Sequence, residues 1–420
     1  MVTEGVIVGL DIGTTKVCAF IAERNAQGFL EITGVGSCPC DGLRKGAVKN
    51  IESVVKATIT AIESAEMMSG REVFDCYTGI GGGHVDGINS RGVVAISEKK
   101  QGREIGLTDL ARVIEAVRAV VIPMDRKVLE VVPQSYIVDD QKGIKDPLNM
   151  IGVRLEAEAH LVTCSVTGAQ NLIRSLNRAG YHVNDLILKT QASGRAVLTQ
   201  EEKNLGAVII DLGGGTSDAL VYIDGAPFAN FSIPAGGFQV TNDISIMRSI
   251  SFDTAEKIKT ESGCCWEPLL EGDEEVIVPG VGGRPPQPIP RSRILAIIKP
   301  RMEEIFKMIR QKLDELRLSR PLGGGVVLTG GGALMPGVVE LATWVLRIPA
   351  RIGIPLHSPG LNGLVQEYRN PIYATAIGLM LEGNDRELKN GTAPGDSRPT
   401  VKAQSDLIGR LKTWLRNDFF

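Results

Sequence analysis

The chain has 420 residues, long enough for more than one domain, and 43% hydrophobic with 23% charged residues marks an ordinary globular protein. A formal net charge of −3 gives no reason to expect a nucleic-acid partner. Seven scattered cysteines lack His or Cys partners at metal-ligand spacing, so they read as buried thiols in a reducing compartment, not as a disulfide or zinc framework.

The segment Met1 to Gly5 has no basic region and is read as carrying no secretory signal. The run Val6-Ile7-Val8-Gly9-Leu10 reads as a buried strand. It delivers an acidic, glycine-containing turn, Asp11-Ile12-Gly13-Thr14-Thr15-Lys16. Ile51, Val54, Val55, Ile59 and Ile62 then recur at helical spacing. From about Val85 to Leu161 the pattern changes. A helix capped by Thr108 carries Leu110, Val113, Ile114 and Val117, and short strands follow at 128–132 and 136–138. This stretch reads as an inserted subdomain. Thr167 starts a further helix, with Leu172, Ile173 and Leu176 on one face and Gly180 ending it.

A second buried run, Ala207-Val208-Ile209-Ile210, leads into Asp211-Leu212-Gly213-Gly214-Gly215-Thr216-Ser217-Asp218. A Pro/Gly-rich loop from Pro279 to Pro290 precedes a long helix. Ile294, Ile297, Ile298, Ile305, Ile309, Leu313 and Leu316 form its apolar face, and Pro300 should kink it. Val326-Val327-Leu328-Thr329 repeats the strand design and ends in Gly330-Gly331-Gly332-Ala333-Leu334. Residues 383–404 have the composition of a flexible linker. Residues 405–420 turn amphipathic. Leu407, Ile408, Leu411, Trp414, Leu415 and Phe419 fall on one face, with Arg410, Lys412 and Arg416 flanking it. That is the pattern of a helix lying on an anionic membrane surface. The four histidines show no nucleophile or metal pattern and read as ordinary satisfied side chains.

The two acidic turns share a chemistry. Glycine lets backbone N–H groups approach phosphate oxygens with no Cβ in the way. The hydroxyls of Thr14, Thr15 and Thr216 can donate to the same oxygens. Carboxylates at the strand ends, Asp11 and Asp211, cannot touch phosphate but can hold magnesium through its waters. One such turn alone is most often only a turn. Two related turns plus a third glycine turn indicate two halves closing on one phosphate chain.

These three turns are the nucleotide signature of the actin, hexokinase and heat-shock chaperone superfamily. Within it the chain resembles the FtsA family, actin-like bacterial division proteins that anchor the FtsZ ring. The resemblance rests on Gly102-Arg103-Glu104-Ile105, Ile144-Lys145-Asp146-Pro147 and Gly152-Val153-Arg154-Leu155-Glu156-Ala157-Glu158. It extends to Val281-Gly282-Gly283-Arg284-Pro285-Pro286 and the amphipathic end.

The resemblance implies an α/β, actin-like, two-lobed ATPase fold with an FtsA-type inserted subdomain. Residues 1–84 and 162–195 would form the first lobe, 85–161 the insert and 196–382 the second lobe, whose smaller subdomain is 240–324. Residues 383–404 would be the linker and 405–420 the membrane helix. ATP and magnesium would lie in the cleft. Asp11, Gly13, Thr14, Thr15 and Lys16 would clasp the phosphates from one side, and Gly213, Gly214, Gly215 and Thr216 from the other. Glu256 and Lys259 would meet the ribose and adenine, with Gly330, Gly331, Gly332 and Leu334 behind the adenosine. The implied partners are the FtsZ C-terminal peptide, later division proteins, further copies in a filament and an anionic membrane at the cytoplasmic face of the inner membrane. The peptide would bind the half containing Pro279 to Leu316, where Arg284, Arg291 and Arg293 suit an acidic ligand.

One departure bears on activity. Many superfamily members place a water-orienting Glu in Glu-Pro-x-Ala-Ser. The matching stretch here is Lys189-Thr190-Gln191-Ala192-Ser193, with a lysine in the place of that Glu. A cation cannot act as a base beside a polyphosphate. Lys189 could bind phosphate instead, and Gln191 could orient a water. Weak or absent hydrolysis is therefore expected. A superfamily small-molecule kinase and a chaperone-type ATPase are the alternatives. A kinase lacks use for the terminal amphipathic helix, and a chaperone needs a peptide-binding β-domain after the ATPase.

Overall fold

The computed structural model describes residues 5–25, 29–97, 101–270, 272, 274–279, 285–318, 320–355, 361–362 and 366–389. The expectations for residues 281–284 and 390–420, which include Arg284 and the amphipathic segment, lie outside the described residues.

Two sheets repeat one design. In the first, the strand order is His182–Leu188, Asp75–Ile80, Val6–Ile12, Lys16–Arg24, Leu30–Pro39 and Leu361–Asn362. Val6–Ile12 pairs antiparallel with Lys16–Arg24 and parallel with Asp75–Ile80. In the second, the order is Ala226–Ile233, Ser217–Ile223, Ala207–Leu212, Gly325–Thr329 and Ala350–Ile352. Ala207–Leu212 likewise has an antiparallel hairpin partner and a parallel neighbour. Both central strands are apolar and buried on both faces, as the continuous hydrophobic runs require. Each lobe has its own core, around Phe20 and Ile62 in the first and around Phe306 and Ile210 in the second.

The insert has a separate core of Ile105, Val113, Val117, Leu155 and Leu161 under a four-stranded sheet. Its helix, Leu107–Arg118, is capped two residues before the expected Thr108. Gly106 takes the cap position, and the Asp109 carboxylate accepts its N–H at 3.1 Å. The helix expected from Thr167 similarly spans Val166–Arg178, with Ser165 accepting the Gly168 N–H at 3.2 Å. The two short strands expected at 128–138 are one, Arg126–Val138. Pro133 is tolerated within it because the pairing with Arg154–Ser165 shifts register beside it. The insert also reaches across to the second lobe. Asn89 Nδ2 donates to Phe228 O at 3.0 Å, Gln134 Nε2 to Pro227 O at 2.9 Å, and His160 Nε2 lies 2.8 Å from Asn230 Oδ1.

The C-terminal boundaries differ most from expectation. Residues 374–389 form one helix, Ala374–Lys389. The expected second lobe ran to 382 and the expected linker from 383, yet this helix packs in the first lobe's core through Ala376, Ile377, Leu379 and Met380. Its polar end is not solvated chain. Arg24 Nη2 donates to Asn384 Oδ1 at 2.8 Å, Arg195 Nε to Asp385 Oδ2 at 2.8 Å, and Arg386 pairs with Asp185 and Glu130. Gly383 is buried against the ring of Tyr77.

This helix crosses Lys189–Val197 with glycine at the contact. A Cβ at Gly378 would overlap Ala192 O, and one at Gly9 would lie 2.7 Å from Met380 N. Helix propensity alone makes Gly378→Ala stabilising by about 1 kcal/mol. The crossing reverses the sign, and overpacking should cost about 1–3 kcal/mol. Thermal unfolding checks this. Gly378→Ala should melt below the unsubstituted protein. Gly83→Ala, whose Cβ meets nothing within 4 Å, should not. Equal midpoints would show that the two helices separate at no cost.

Candidate functional site

Each central strand ends in a carboxylate and a tight hairpin. Gly13 N donates to Lys16 O at 2.8 Å, and Gly213 N to Thr216 O at 3.0 Å. The two hairpins meet face to face. A Cβ at Gly214 would lie 2.6 Å from Thr15 Cγ2, and one at Gly215 2.9 Å from Thr14 Oγ1, so any side chain there would force the hairpins apart. The second hairpin is pinned from behind, where Gly237 N donates to Gly213 O at 2.9 Å and Phe238 N to Gly214 O at 2.7 Å. A cavity of about 410 Å³ opens between them, a size suited to a small ligand.

All the binding residues expected from the sequence line this cavity: Asp11 to Lys16, Asp211, Gly213 to Thr216, Glu256, Lys259, Gly330 to Gly332 and Leu334. Gly330 has φ +81°, and a Cβ there would overlap Asp211 Oδ1. Gly331 meets nothing within 4 Å, so its Cβ position faces open cavity. Glu256 and Lys259 share one face of the helix Phe252–Ser262. Lys259 Nζ lies 2.7 Å from Glu256 Oε2, donates to Thr241 Oγ1 at 2.9 Å and reaches Gly237 O at 3.3 Å. Met302 and Ile305 of the helix Arg291–Glu315 give this end an apolar wall. The Lys16 ammonium lies over the Tyr373 ring, 4.4 Å from its centroid.

The opposite end is acidic. Asp11, Asp211 and Asp218 converge there around one ammonium, that of Lys189. Lys189 Nζ is 2.8 Å from Asp11 Oδ1 and donates to Ile12 O at 2.7 Å. Burial, with the neighbouring Asp218 and Asp11 charges, pushes the Asp211 carboxyl up to about 7. Burial also raises Asp218, against the pull of the bond from Thr216. For Lys189 burial acts downward, but Asp11, Asp211 and Asp218 outweigh it and hold the ammonium above its ordinary value.

Sequence reasoning missed three contributors. Asp218 faces Asp211 directly across the hairpin, a register that the sequence of the turn allows to be counted out. Thr216 Oγ1 donates to its Oδ2 at 3.1 Å. Thr375 comes from the last helix and donates to Asp211 Oδ2 at 3.3 Å, and no local signal marks it. The third is the Met302 and Ile305 wall. Gln191 does not reach the cavity to orient a water; its amide points to Glu130 Oε1 at 3.4 Å.

Among the described residues no group of three His, Cys, Asp or Glu is placed to hold an ion directly. Any ion would be held through its waters, as magnesium favours. Of the two expected carboxylates, Asp11 already has Lys189 as its partner. The pair that fits a hydrated ion is Asp211 with Asp218, whose Oδ1 is a buried acceptor without a partner.

The family model described as "Cell division protein FtsA" matches residues 208–378, and that described as "SHS2 domain inserted in FTSA" matches residues 82–163. The chain is 42% identical over 419 residues to the cell division protein FtsA of Borreliella burgdorferi, with 100% of each chain covered. It is 40% identical to that of Pseudomonas aeruginosa and 38% identical to that of Escherichia coli K12, covering 98% of each chain in both cases. Among solved structures it resembles the PilM-PilN type IV pilus biogenesis complex, at TM-score 0.64 and 18% identity, over 90% of this chain and 98% of that one. It also resembles MreB 5 of Spiroplasma citri bound to AMPPNP, at TM-score 0.54 and 14% identity, over 93% and 99%. The two lobes are therefore an actin-like fold carrying an inserted SHS2 domain. With near full-length identity of this order to several division proteins, the chain belongs to the FtsA family of cell division proteins.

Proposed function

We propose that this chain binds ATP in the interlobe cavity, assembles into filaments at the division site and anchors the FtsZ ring to the cytoplasmic face of the inner membrane. Family membership sets aside the kinase and chaperone alternatives. The observation that carries ATP binding is the meeting of two phosphate-type hairpins, Thr14 and Thr15 against Gly214 and Gly215, over one cavity. Backbone N–H groups of both hairpins and the hydroxyls of Thr14, Thr15 and Thr216 would hold the phosphates. Glu256, Lys259, Met302, Ile305 and the turn Gly330 to Leu334 would hold the nucleoside. Magnesium, when bound, would neutralise phosphate charge, with Asp211 and Asp218 holding its waters.

Lys189 is bound to Asp11, and Gln191 is turned toward Glu130. Hydrolysis is accordingly slow. Assembly of many copies along a filament would raise the overall avidity of individually weak contacts.

The FtsZ peptide is placed on the second lobe's smaller subdomain. Arg291 is committed to Ser262 O at 2.9 Å and to Glu274 at 3.3 Å. Arg293 is exposed and suits an acidic peptide. The membrane contact is placed on residues 405–420 on their sequence pattern alone. Among the described residues no helix is long and apolar enough to cross a membrane. A surface helix with six large apolar side chains, each worth about 1.5–3 kcal/mol when fully buried, would hold weakly as a single copy, because headgroup-level burial is partial and ordering costs entropy.

Four measurements bear on this reading. By calorimetry, Gly214→Val and Gly331→Leu should each weaken ATP binding by at least about tenfold, the first by parting the hairpins and the second by filling the cavity. Unchanged affinity in both would remove the nucleotide site, and turnover above about one per second would contradict slow hydrolysis. Arg293→Glu should weaken binding of the FtsZ C-terminal peptide by fluorescence anisotropy; an unchanged isotherm takes Arg293 out of the site. Truncation before Ser405, or Trp414→Glu, should release the protein from anionic liposomes with ATP affinity intact. Cosedimentation equal to that of the full chain would show that the tail is not the anchor.

A further inference from the structure

Among the described residues three lysines line the interlobe cavity, Lys16, Lys189 and Lys259. Lys189 is paired with Asp11, and Lys259 with Glu256. Lys16 differs. Among the described side chains no carboxylate pairs with it, and its ammonium lies instead over the Tyr373 ring, 4.4 Å from the centroid. That ring is held by its neighbours. Phe20 lies four positions beyond Lys16 on the same strand, hence on the same face, and is fully buried. Tyr373 meets Phe20 edge-on at 5.6 Å and Tyr368 at 5.7 Å, and Phe20 meets Tyr368 at 5.6 Å. The backbone behind the ring is fixed as well. In the turn Pro371–Tyr373, Asn370 Oδ1 accepts the Ile372 N–H at 3.1 Å. Pro371 O accepts from Thr329 Oγ1 at 2.9 Å and from Gly330 N at 3.2 Å. The ring therefore stands on a turn tied to the second lobe's glycine turn and presents its face to the lysine of the first lobe's hairpin.

We propose that Tyr373 is a positioning residue for phosphate recognition: its ring holds the Lys16 ammonium at the cavity wall as the unpaired cation that meets the polyphosphate. The inference rests on ATP binding in this cavity. A carboxylate partner would neutralise the ammonium, as Asp11 and Glu256 do for the other two. An aromatic face attracts a cation through its quadrupole and carries no net charge. Lys16 thus keeps its full positive charge, and the N–H groups turned away from the ring stay free to donate. An unheld lysine stem would have to be ordered when the phosphate arrived. Holding it beforehand removes part of that cost from binding. If Tyr373 were only one of three packed rings, its loss would be felt in the site whether or not Lys16 were present.

The test is a double-mutant cycle, read by calorimetric titration of the full chain with ATP in excess magnesium. Lys16→Met should weaken ATP binding by at least about tenfold, and Tyr373→Leu by about threefold to thirtyfold, the range of a contact between a cation and a ring. In the Lys16→Met background, Tyr373→Leu should cost less than about twofold more. If Tyr373→Leu does not fold, two ring-preserving changes carry the test: Tyr373→Phe, and replacement of Tyr373 by pentafluorophenylalanine. Both keep the packing of the three rings, and only the second strips the negative charge from the ring face. The first should stay within about twofold of the unsubstituted chain, and the second should weaken ATP binding by at least about threefold. An equal loss from Tyr373→Leu with and without Lys16 would overturn the inference, as would unchanged or tighter binding in Tyr373→Leu alone. Equal affinities for the two ring-preserving variants would overturn it too. Unchanged affinity in Lys16→Met would overturn it and leave the nucleotide site standing. Absence of binding by the unsubstituted chain would remove the nucleotide site itself, and this inference with it.

Discussion

The crossing of two helices at Gly378 and Ala192 holds the cleft together. Lys189–Val197 and Ala374–Lys389 approach until no Cβ fits between them. Both helices begin at the cavity, so their contact fixes what their first residues present there. Lys189 is the first residue of one and reaches Asp11. Thr375 is the second residue of the other and reaches Asp211, while Ser193 and Thr375 share a hydrogen bond of 2.8 Å between the helices. A shift of the crossing would move the partners of both strand-end carboxylates at once. Steric closeness in the core thus becomes electrostatic order in the site.

That order is needed because the acidic end is unfavourable by itself. Asp11, Asp211 and Asp218 are drawn together by strand geometry, in a place too buried for water to screen them well. One ammonium answers three carboxylates, and burial together with the Asp218 and Asp11 charges raises the Asp211 carboxyl toward neutrality. Such a cluster is poor as a stabilising device. It is suited to receive further positive charge, or a ligand that brings its own cation.

Much of this could be read from the chain. Strand, carboxylate and glycine turn are contiguous, so both hairpins and the third turn were legible, and so were the helices with a clear apolar face. The Glu256 and Lys259 pair was legible only through resemblance, since two charges three positions apart on a helix usually mean a solvated face. What escaped notice was set by tertiary contact. The polar run after Leu381 looked like linker because its partners, Arg24, Arg195 and Asp185, lie far away in sequence. Thr375 is an ordinary helical residue until the crossing brings it to Asp211. The cap of the insert's helix slipped by two residues because Gly106 with Asp109 outcompeted Thr108, and the helix expected from Thr167 starts one residue earlier, behind the Ser165 cap.

The contacts around the cleft are of two different kinds, and they differ in what it costs to part them. The helix crossing is apolar, glycine-tight and continuous with the first lobe's core. The insert's bridge to the second lobe is polar, made by Asn89, Gln134 and His160 to backbone or amide oxygens, with Lys145 Nζ adding a bond of 2.6 Å to Asp224 O. Each of these hydrogen bonds is worth about 0.5–1.5 kcal/mol net, since water can replace it. Parting the crossing would instead expose packed apolar surface and open a void, at a cost of several such bonds. Were the lobes to part, the insert's bonds would exchange with water before the crossing yielded. The acidic cluster sits beside the crossing, while the far end of the cavity is lined by the second lobe's Glu256, Lys259, Met302 and Ile305. A ligand gripping both ends would close the cleft by its far end, against contacts weak enough to yield.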